Sequence, residues 1–370
     1  MNKAVLYSVI GIFVVLVVCV IGVNTIPYFG LTQEKTLEIG AIIPLTGALG
    51  DFGKEIQNGI DLAVDEINKE SIVKIKISYE DSVGANNGAV QAYNKLATDG
   101  IKLIITSYGD TVLSVAPLAE QDKVIVFSAG GGSPLISSAG DYIFRNNILV
   151  QDEAKVISKY MVDHGIKEIG VPIINTQSGT SYFEGLKTEY ETLGGKIIVA
   201  DKFVPDNVEY KEFILKMKEN KLENLFIILS ASQTLALVKQ SEELGLKFNY
   251  FAGYTLERSE VLKIPELEGA IYTHFFDLSN KKSKEYNDSF LEKYGAVPSG
   301  ASALGYDVVY MLKLAYDNCG ELDTECIKNE LYKITDFDGA SGKSTMNKDG
   351  DTVKEIIMKT IKNGAFVKLE

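Results

Sequence analysis

Apolar residues along the chain fall into short runs that alternate with stretches of helical spacing. The first complete unit reads LEIGAIIPLTGALGDFGKEIQNGIDLAVDEI. Leu37, Ile39, Ala41, Ile42 and Ile43 form a run rich in β-branched residues that stops at Pro44, the pattern of a buried strand in a parallel sheet. Ile56, Ile60, Ala63, Val64 and Ile67 then recur at helical spacing, with Lys54, Glu55, Asp61, Asp65 and Glu66 on the opposite side. Thr46, Gly47, Gly50 and Gly53 lie between, and read as a glycine-rich turn. In an open α/β sheet such a loop sits at the carboxyl edge of the strands, where ligands bind and where the N–H groups of a helix start can meet a negative group.

The same alternation continues. Strand-like runs are expected at 75–79, 103–106, 124–128, 168–174, 196–200 and 225–229, and helices at 89–97, 154–164, 182–193, 210–218 and 235–244. This is an α/β pattern, a mostly parallel sheet with helices on both faces. The strands are too many for one comfortable sheet, and DYIFRNNILVQD reads as a crossing between two units, so two lobes are expected. Loops of small polar residues follow successive strands: SYGDT, SAGGGSP, NTQSGTSY and SASQT. Together they would line one cleft.

The chain has 370 residues, 46% of them hydrophobic, which suffices for a large core and suggests two domains. Its 37 basic and 50 acidic residues give a formal charge of −13, which argues against a nucleic-acid surface. Residues 4–33 carry no charge, and AVLYSVIGIFVVLVVCVIGV is long enough to span a bilayer as a helix. With Lys3 retained inside, everything after about Asn24 lies outside the cytoplasm. The expectation is a single-pass membrane anchor at 1–24 and a tether at 25–36. A cleaved signal peptide usually has a shorter apolar region, and no small-x-small pattern follows Val23. A lipidated cysteine would want a small residue where Val18 precedes Cys19.

Cys319 and Cys326 flank a short polar loop in YDNCGELDTECIKNE, between apolar helices marked by Val308, Met311, Leu312 and Ala315 and by Ile327, Leu331 and Ile334. In an oxidising compartment they read as a disulfide closing that loop, worth on the order of 2 kcal/mol. Metal binding is disfavoured because His164 and His274 both lie far from the pair in sequence. No nucleophile elbow, HExxH or dinucleotide fingerprint is present, so neither an enzyme nor a cofactor is expected. NKDGD lacks calcium-loop spacing and fits a hairpin turn.

From Leu37 to Lys368 the chain resembles the type I periplasmic solute-binding family, most closely its branched-chain amino-acid and amide binding members, which serve ABC importers. The likeness rests on IGAIIPLTGALGDFGKEIQNGIDLAVDEIN, VAPLAEQDKVIVFSAGGGSP, SYFEGLKTEYETLG and FDGASGKSTMNKDGD with IIMKTIKNGAFV, in that order and spacing. The resemblance implies two α/β lobes joined by three crossings, here near Arg145, 274–277 and 337–339, with ligand trapped as the lobes close. One lobe would comprise 37–145 plus 277–336, the other 146–276 plus 337–370.

The resemblance also implies binding positions. The serine that holds a ligand carboxylate in amino-acid binders falls at Gly109, flanked by Asp110 and Thr111. Counting from Ser128, the next backbone position falls at Gly130, and a threonine hydroxyl position falls at Gly132 beside Ser133. Phe52 matches an aromatic that covers the ligand, and Tyr182 matches the family tyrosine. The second-lobe aromatic becomes Ser230 or Ala231. The acid that pairs with a ligand ammonium falls at Thr255, between Tyr254 and Arg258. A buried ammonium needs a carboxylate or several acceptors. Either Asp110 supplies one, or the ligand is an amide or carboxylic acid. Arg258 and Glu257 read as solvated, and the backbone around 130–133 can receive an anion. The function implied is a monomeric, membrane-anchored extracytoplasmic receptor that hands a small polar solute to ABC permease subunits. The other reading is a ligand-sensing domain whose signalling partner acts in trans; a chain ending at Glu370 without an output domain weighs against it.

Overall fold

The computed structural model describes residues 35–47, 49–83 and 86–369. The expected anchor, and the tether as far as residue 34, lie outside the described residues. Among the described residues no helix is long and apolar enough to cross a membrane.

The first lobe is built on a five-stranded sheet. β1 (Thr36–Ile43) lies between β2 (Lys74–Asp81) and β3 (Leu103–Thr106), all parallel, with Ile39 opposite Ile77 and Gly40 opposite Ile104. β4 (Ile125–Ser128) and β5 (Ile143–Arg145) complete the order β2-β1-β3-β4-β5. Successive side chains of β1 enter different cores. Leu37, Ile39, Ala41 and Ile43 pack in the cluster under α1 (Gly50–Glu70). Ile42 packs with Ile104 and Val126 under α2 (Asn86–Thr98) and α3 (Gly109–Asp122). That two-sided burial is why the strand reads as a nearly unbroken apolar run.

The glycines after β1 divide into two kinds. The turn is confined to the segment around Gly47, whose φ of 79° needs glycine. Gly50 and Gly53, expected in the turn, belong to α1. A Cβ on Gly53 would stand 1.7 Å from the Pro44 carbonyl oxygen, so this glycine lets the helix fold back onto the strand end.

The second lobe follows through α4 (Val150–Asp163), β6 (Glu168–Ile174), α5 (Gln177–Thr192), β7 (Lys196–Phe203), α6 (Lys211–Glu219), β8 (Asn224–Ile227), α7 (Ala231–Glu243), β9 (Asn249–Ala252) and β10 (Ile271–His274). Its strands run parallel in the order β7-β6-β8-β9-β10. The chain then returns to the first lobe, where α8 (Lys281–Tyr294), α9 (Gly300–Cys319) and α10 (Thr324–Tyr332) share the core of α1. Cys319 and Cys326 are joined by a disulfide across the α9–α10 loop, with their Cα atoms 6.0 Å apart.

The last passage differs from expectation. β11 (Phe337–Gly339) and β12 (Gly342–Met346) form a hairpin on the first lobe, followed by β13 (Thr352–Val353). Buried Asp307 of α9 holds the hairpin by accepting from the N–H groups of Ala340 and Ser341 at 2.7 and 2.9 Å. The chain enters the second lobe only at β14 (Ile357–Lys362), which pairs antiparallel with β10, and β15 (Ala365–Lys368) closes the sheet. The boundary expected at 337 therefore falls between Val353 and Ile357. NKDGD is the turn between β12 and β13, where Asn347 Oδ1 accepts from the N–H groups of Asp349 and Asp351.

Candidate ligand cleft

The carboxyl ends of both parallel sheets face one cavity of about 130 Å³. That is close to the ~150 Å³ of an apolar protein cavity that admits benzene, so the space suits one small organic molecule. The first lobe contributes Phe52 from the start of α1, Tyr108 before α3, and Gly130 and Gly132 from the loop after β4. The second contributes Val150 and Glu153 from α4, Ser178 and Tyr182 from α5, 227–230 from the end of β8, and Tyr254, Thr255 and Arg258 from the segment after β9. Apolar walls with a few convergent polar groups are the usual composition of a small-molecule site.

Seven of the twelve expected positions line this cavity: Phe52, Gly130, Gly132, Tyr182, Ser230, Tyr254 and Thr255. Phe52 packs against Tyr108 with centroids 4.7 Å apart and carries the Arg258 guanidinium 5.6 Å from its ring centre. Ser230 caps α7 in a reciprocal box with Gln233. Tyr254 accepts from Asn147 Nδ2 through its hydroxyl at 3.1 Å.

The other five stand behind the wall. Ser128 Oγ accepts from the Gly131 N–H at 3.0 Å and shapes the loop that presents Gly130 and Gly132. Ser133 Oγ accepts from the Leu135 N–H as the cap of a short helical turn. α3 begins at Gly109, which puts Tyr108 on the cavity and turns Asp110 and Thr111 into its first turn. Asp110 Oδ2 instead accepts from the Gln177 N–H of α5 at 3.4 Å, joining the lobes beside the cavity. The glycine at 109 leaves room for Ser178, whose Oγ would lie 3.3 Å from a Cβ there.

Among the cavity residues not singled out for the cleft, besides Tyr108, Val150 and Ser178, are three with polar chemistry: Asn147, Glu153 and Arg258. Asn147 and Glu153 sit in and just beyond the stretch read as a crossing, where α4 starts. Arg258, expected to be solvated, is nearly buried and pairs with Glu55 of α1. Glu257 is buried too: it accepts from Tyr272 Oη at 2.7 Å and pairs with Lys359 at 2.6 Å. The signal that could have found Glu153 is position alone, an acidic residue one turn into a helix that begins at the crossing.

Glu153 is the most unusual group in the wall. It is 1% exposed, and Oε1 accepts from the Tyr254 N–H at 2.8 Å and Thr273 Oγ1 at 2.7 Å. Oε2 and the neighbouring Tyr182 hydroxyl have no hydrogen-bond partner among the described residues. Burial pushes the Glu153 carboxyl up to about 7, against the opposing pull of its hydrogen bonds.

A family model described as "Periplasmic binding protein" matches residues 36–365. The Leu/Ile/Val-binding protein BraC3 of Rhizobium johnstonii is 24% identical over 339 residues, covering 88% of this chain and 92% of that protein. The crystal structure of a leucine binding protein from Thermotoga maritima superposes with a TM-score of 0.83 at 22% identity, over 90% of this chain and 98% of that one. A solute binding protein of an ABC transporter from Rhodopseudomonas palustris, in complex with 3,4-dihydroxy benzoic acid, gives a TM-score of 0.84 at 20% identity, over 90% and 96%.

Proposed function

We propose that this chain, which belongs to the periplasmic binding protein family, captures a small organic solute between its lobes on the extracytoplasmic side and delivers it to an ABC permease. The observation that carries the reading is the cavity itself: it is walled by both lobes, sized for one small molecule, and mixes apolar surface with buried polar groups. The curated relative named for leucine, isoleucine and valine, and the structural neighbour holding an aromatic acid, support a solute with an apolar body and at least one charged end. Gly130 and Gly132 suit the anionic end, because glycine permits close backbone approach.

Solute bound to one lobe would stabilise the closed arrangement through differential contacts with the other, and the closed form is what a permease would read. The uncharged segment at 4–33 supports a tether that keeps the receptor at the membrane.

The test is a thermal-shift screen of the full chain in detergent against aliphatic, aromatic and acidic amino acids, short amides and small carboxylates, with calorimetry on the hits. A true ligand raises the melting temperature by mass action. A flat response to the whole panel would remove the proposal.

A further inference from the structure

We infer that Asn147, on the first crossing, is a positioning residue: it ties the loop that presents Gly130 and Gly132 to Tyr254 of the other lobe, so that parting of the lobes and the shape of the solute seat change together. The inference rests on the cavity being a solute site and adds how occupancy of that site is coupled to the hinge.

The loop after β4 is strapped to the crossing carbonyl by carbonyl. The Asn146 N–H donates to the Ser128 oxygen at 2.8 Å, Asn147 Nδ2 to the Gly130 oxygen at 3.0 Å and the Val150 N–H to the Gly132 oxygen at 3.3 Å. Arg145 Nη1 donates to the Ser133 oxygen at 2.6 Å, and its guanidinium is paired with Asp351 of the returning segment. Asn147 makes one further bond, from Nδ2 to Tyr254 Oη at 3.1 Å. Tyr254 is rooted in its own surroundings: its N–H donates to Glu153 Oε1 at 2.8 Å, and its ring packs on Phe275, where the chain returns to the first lobe, with centroids 5.1 Å apart. The Asn147–Tyr254 bond therefore lies between the first crossing and the second.

Only a carboxamide in this orientation satisfies all its neighbours. Asn147 Oδ1 accepts from the Ile148 N–H at 2.9 Å, so Nδ2 must be the atom that faces the Gly130 carbonyl and the Tyr254 hydroxyl. Both amide hydrogens are spent and the residue is 1% exposed, which leaves it no donor for a solute. It acts through Gly130 instead. Gly130 has little room to adjust, since a Cβ there would stand 2.6 Å from the Ser107 carbonyl oxygen and 3.1 Å from the Phe52 ring.

One rigid planar group can meet both acceptors only while they stay at a fixed separation. A movement of the second lobe that carries Tyr254 away breaks one bond, frees the carboxamide and leaves the Gly130 carbonyl without a fixed partner. A solute seated on the loop favours the arrangement in which both bonds are made. By linkage, closure then orders the loop as much as the solute favours closure.

Hydrogen exchange on the solute-free full chain in detergent, read by mass spectrometry on peptides covering 128–135 and 254–260, tests the tie without any solute. Tyr254→Phe keeps the ring and its backbone bond and removes only the hydroxyl. It should speed exchange across 128–135, in the other lobe, about 5-fold. Asn147→Ala should speed both segments about 10-fold, and adding Tyr254→Phe to it should change the loop no further. A role for Asn147 confined to the first lobe would leave the loop indifferent to Tyr254→Phe. That result overturns the inference, as do additive effects in the double variant. Should Asn147→Ala fail to fold, the Tyr254→Phe result alone decides. Calorimetry with leucine and with 3,4-dihydroxybenzoate carries the test into binding. Where either binds the wild-type chain, Asn147→Ala should weaken it about 10-fold, and an undiminished affinity also overturns the inference. If neither these probes nor the wider panel binds, the solute-site reading is what falls, and the exchange cycle still decides whether Asn147 joins the lobes.

Discussion

Arg258 and Glu55 pair across the cleft. Arg258 Nη1, in the second lobe after β9, donates to Glu55 Oε1 on α1 of the first, while Ser299 Oγ donates to Oε2 at 2.7 Å. Burial holds the Glu55 carboxyl above the usual carboxylate range despite the guanidinium. The contact spans the two lobes, so any movement that parts them must break it.

Arg258→Ala and Glu55→Gln should therefore each weaken solute binding about 10-fold, chiefly by faster dissociation, because each removes a charge-assisted hydrogen bond worth about 1–2 kcal/mol. The double variant should cost little more than either single one, a coupling that stopped-flow dissociation rates can read. Additive losses would show that the two residues act separately.

Two buried groups should shape stability against pH in opposite senses. Glu153 titrates near 7 in the folded chain against 4.5 for the free side chain, so the native state binds the proton more tightly, and stability falls as pH rises from about 4.5 through 7. His274 is pushed down from 6.5 to about 4, first by burial and also by Lys359, with Glu257 opposing. Its neutral ring accepts from the N–H groups of Phe275 and Phe276 at Nδ1, so its contribution is full above 6.5 and lost as pH falls toward 4. Each shift corresponds to about 3 kcal/mol. Urea unfolding of the solute-free chain should show Glu153→Gln gaining about that much, relative to wild type, between pH 5 and pH 8, and His274→Asn losing the acid decline.

How much of this could be read in the sequence follows from what a pattern records. β1, β3, β4, β6 and β8 were visible because burial on both faces writes itself as apolar runs, β2 and β7 showed as half-buried runs, and β9 was not expected. Tyr108 was missed because the wall position depends on where α3 starts, and a one-residue difference exchanges Gly109 for its neighbour. Glu153 was missed for another reason. One acidic residue in a helical first turn looks solvated, and only the packing of α4 against β9 and β10 makes it buried. Lys359 likewise reads as one polar position in a strand until Glu257 is placed against it.

Helix α1 lies so close to α9 that a Cβ on Gly59 would stand 1.8 Å from the Ser302 carbonyl oxygen. Backbone cannot yield there without parting the helices. Gly59→Ala should cost about 3 kcal/mol, the upper range for overpacking, or prevent folding. Gly50→Ala, where the nearest atom is 3.4 Å away, should be neutral or gain up to about 1 kcal/mol from helix propensity. Paired thermal melts check the opposite signs.

The last pair ties the returning strand to the second lobe. Lys359 of β14 reaches Glu257 Oε1 and Oε2 at 2.8 and 2.6 Å, Tyr272 Oη of β10 donates to Oε2, and all three residues are buried. Removing one partner of such a pair leaves a charge without compensation, so Lys359→Met should cost about 3–5 kcal/mol. Replacing both ends with neutral groups removes the stranded charge as well as the attraction. Glu257→Gln with Lys359→Met should therefore recover most of that loss, since glutamine still accepts from Tyr272 and methionine fills the volume of the lysine stem. Denaturant unfolding of the three variants reads the cycle. A Lys359→Met chain within about 1 kcal/mol of wild type would mean that water reaches Glu257 and that the strand is held by its ladders with β10 and β15.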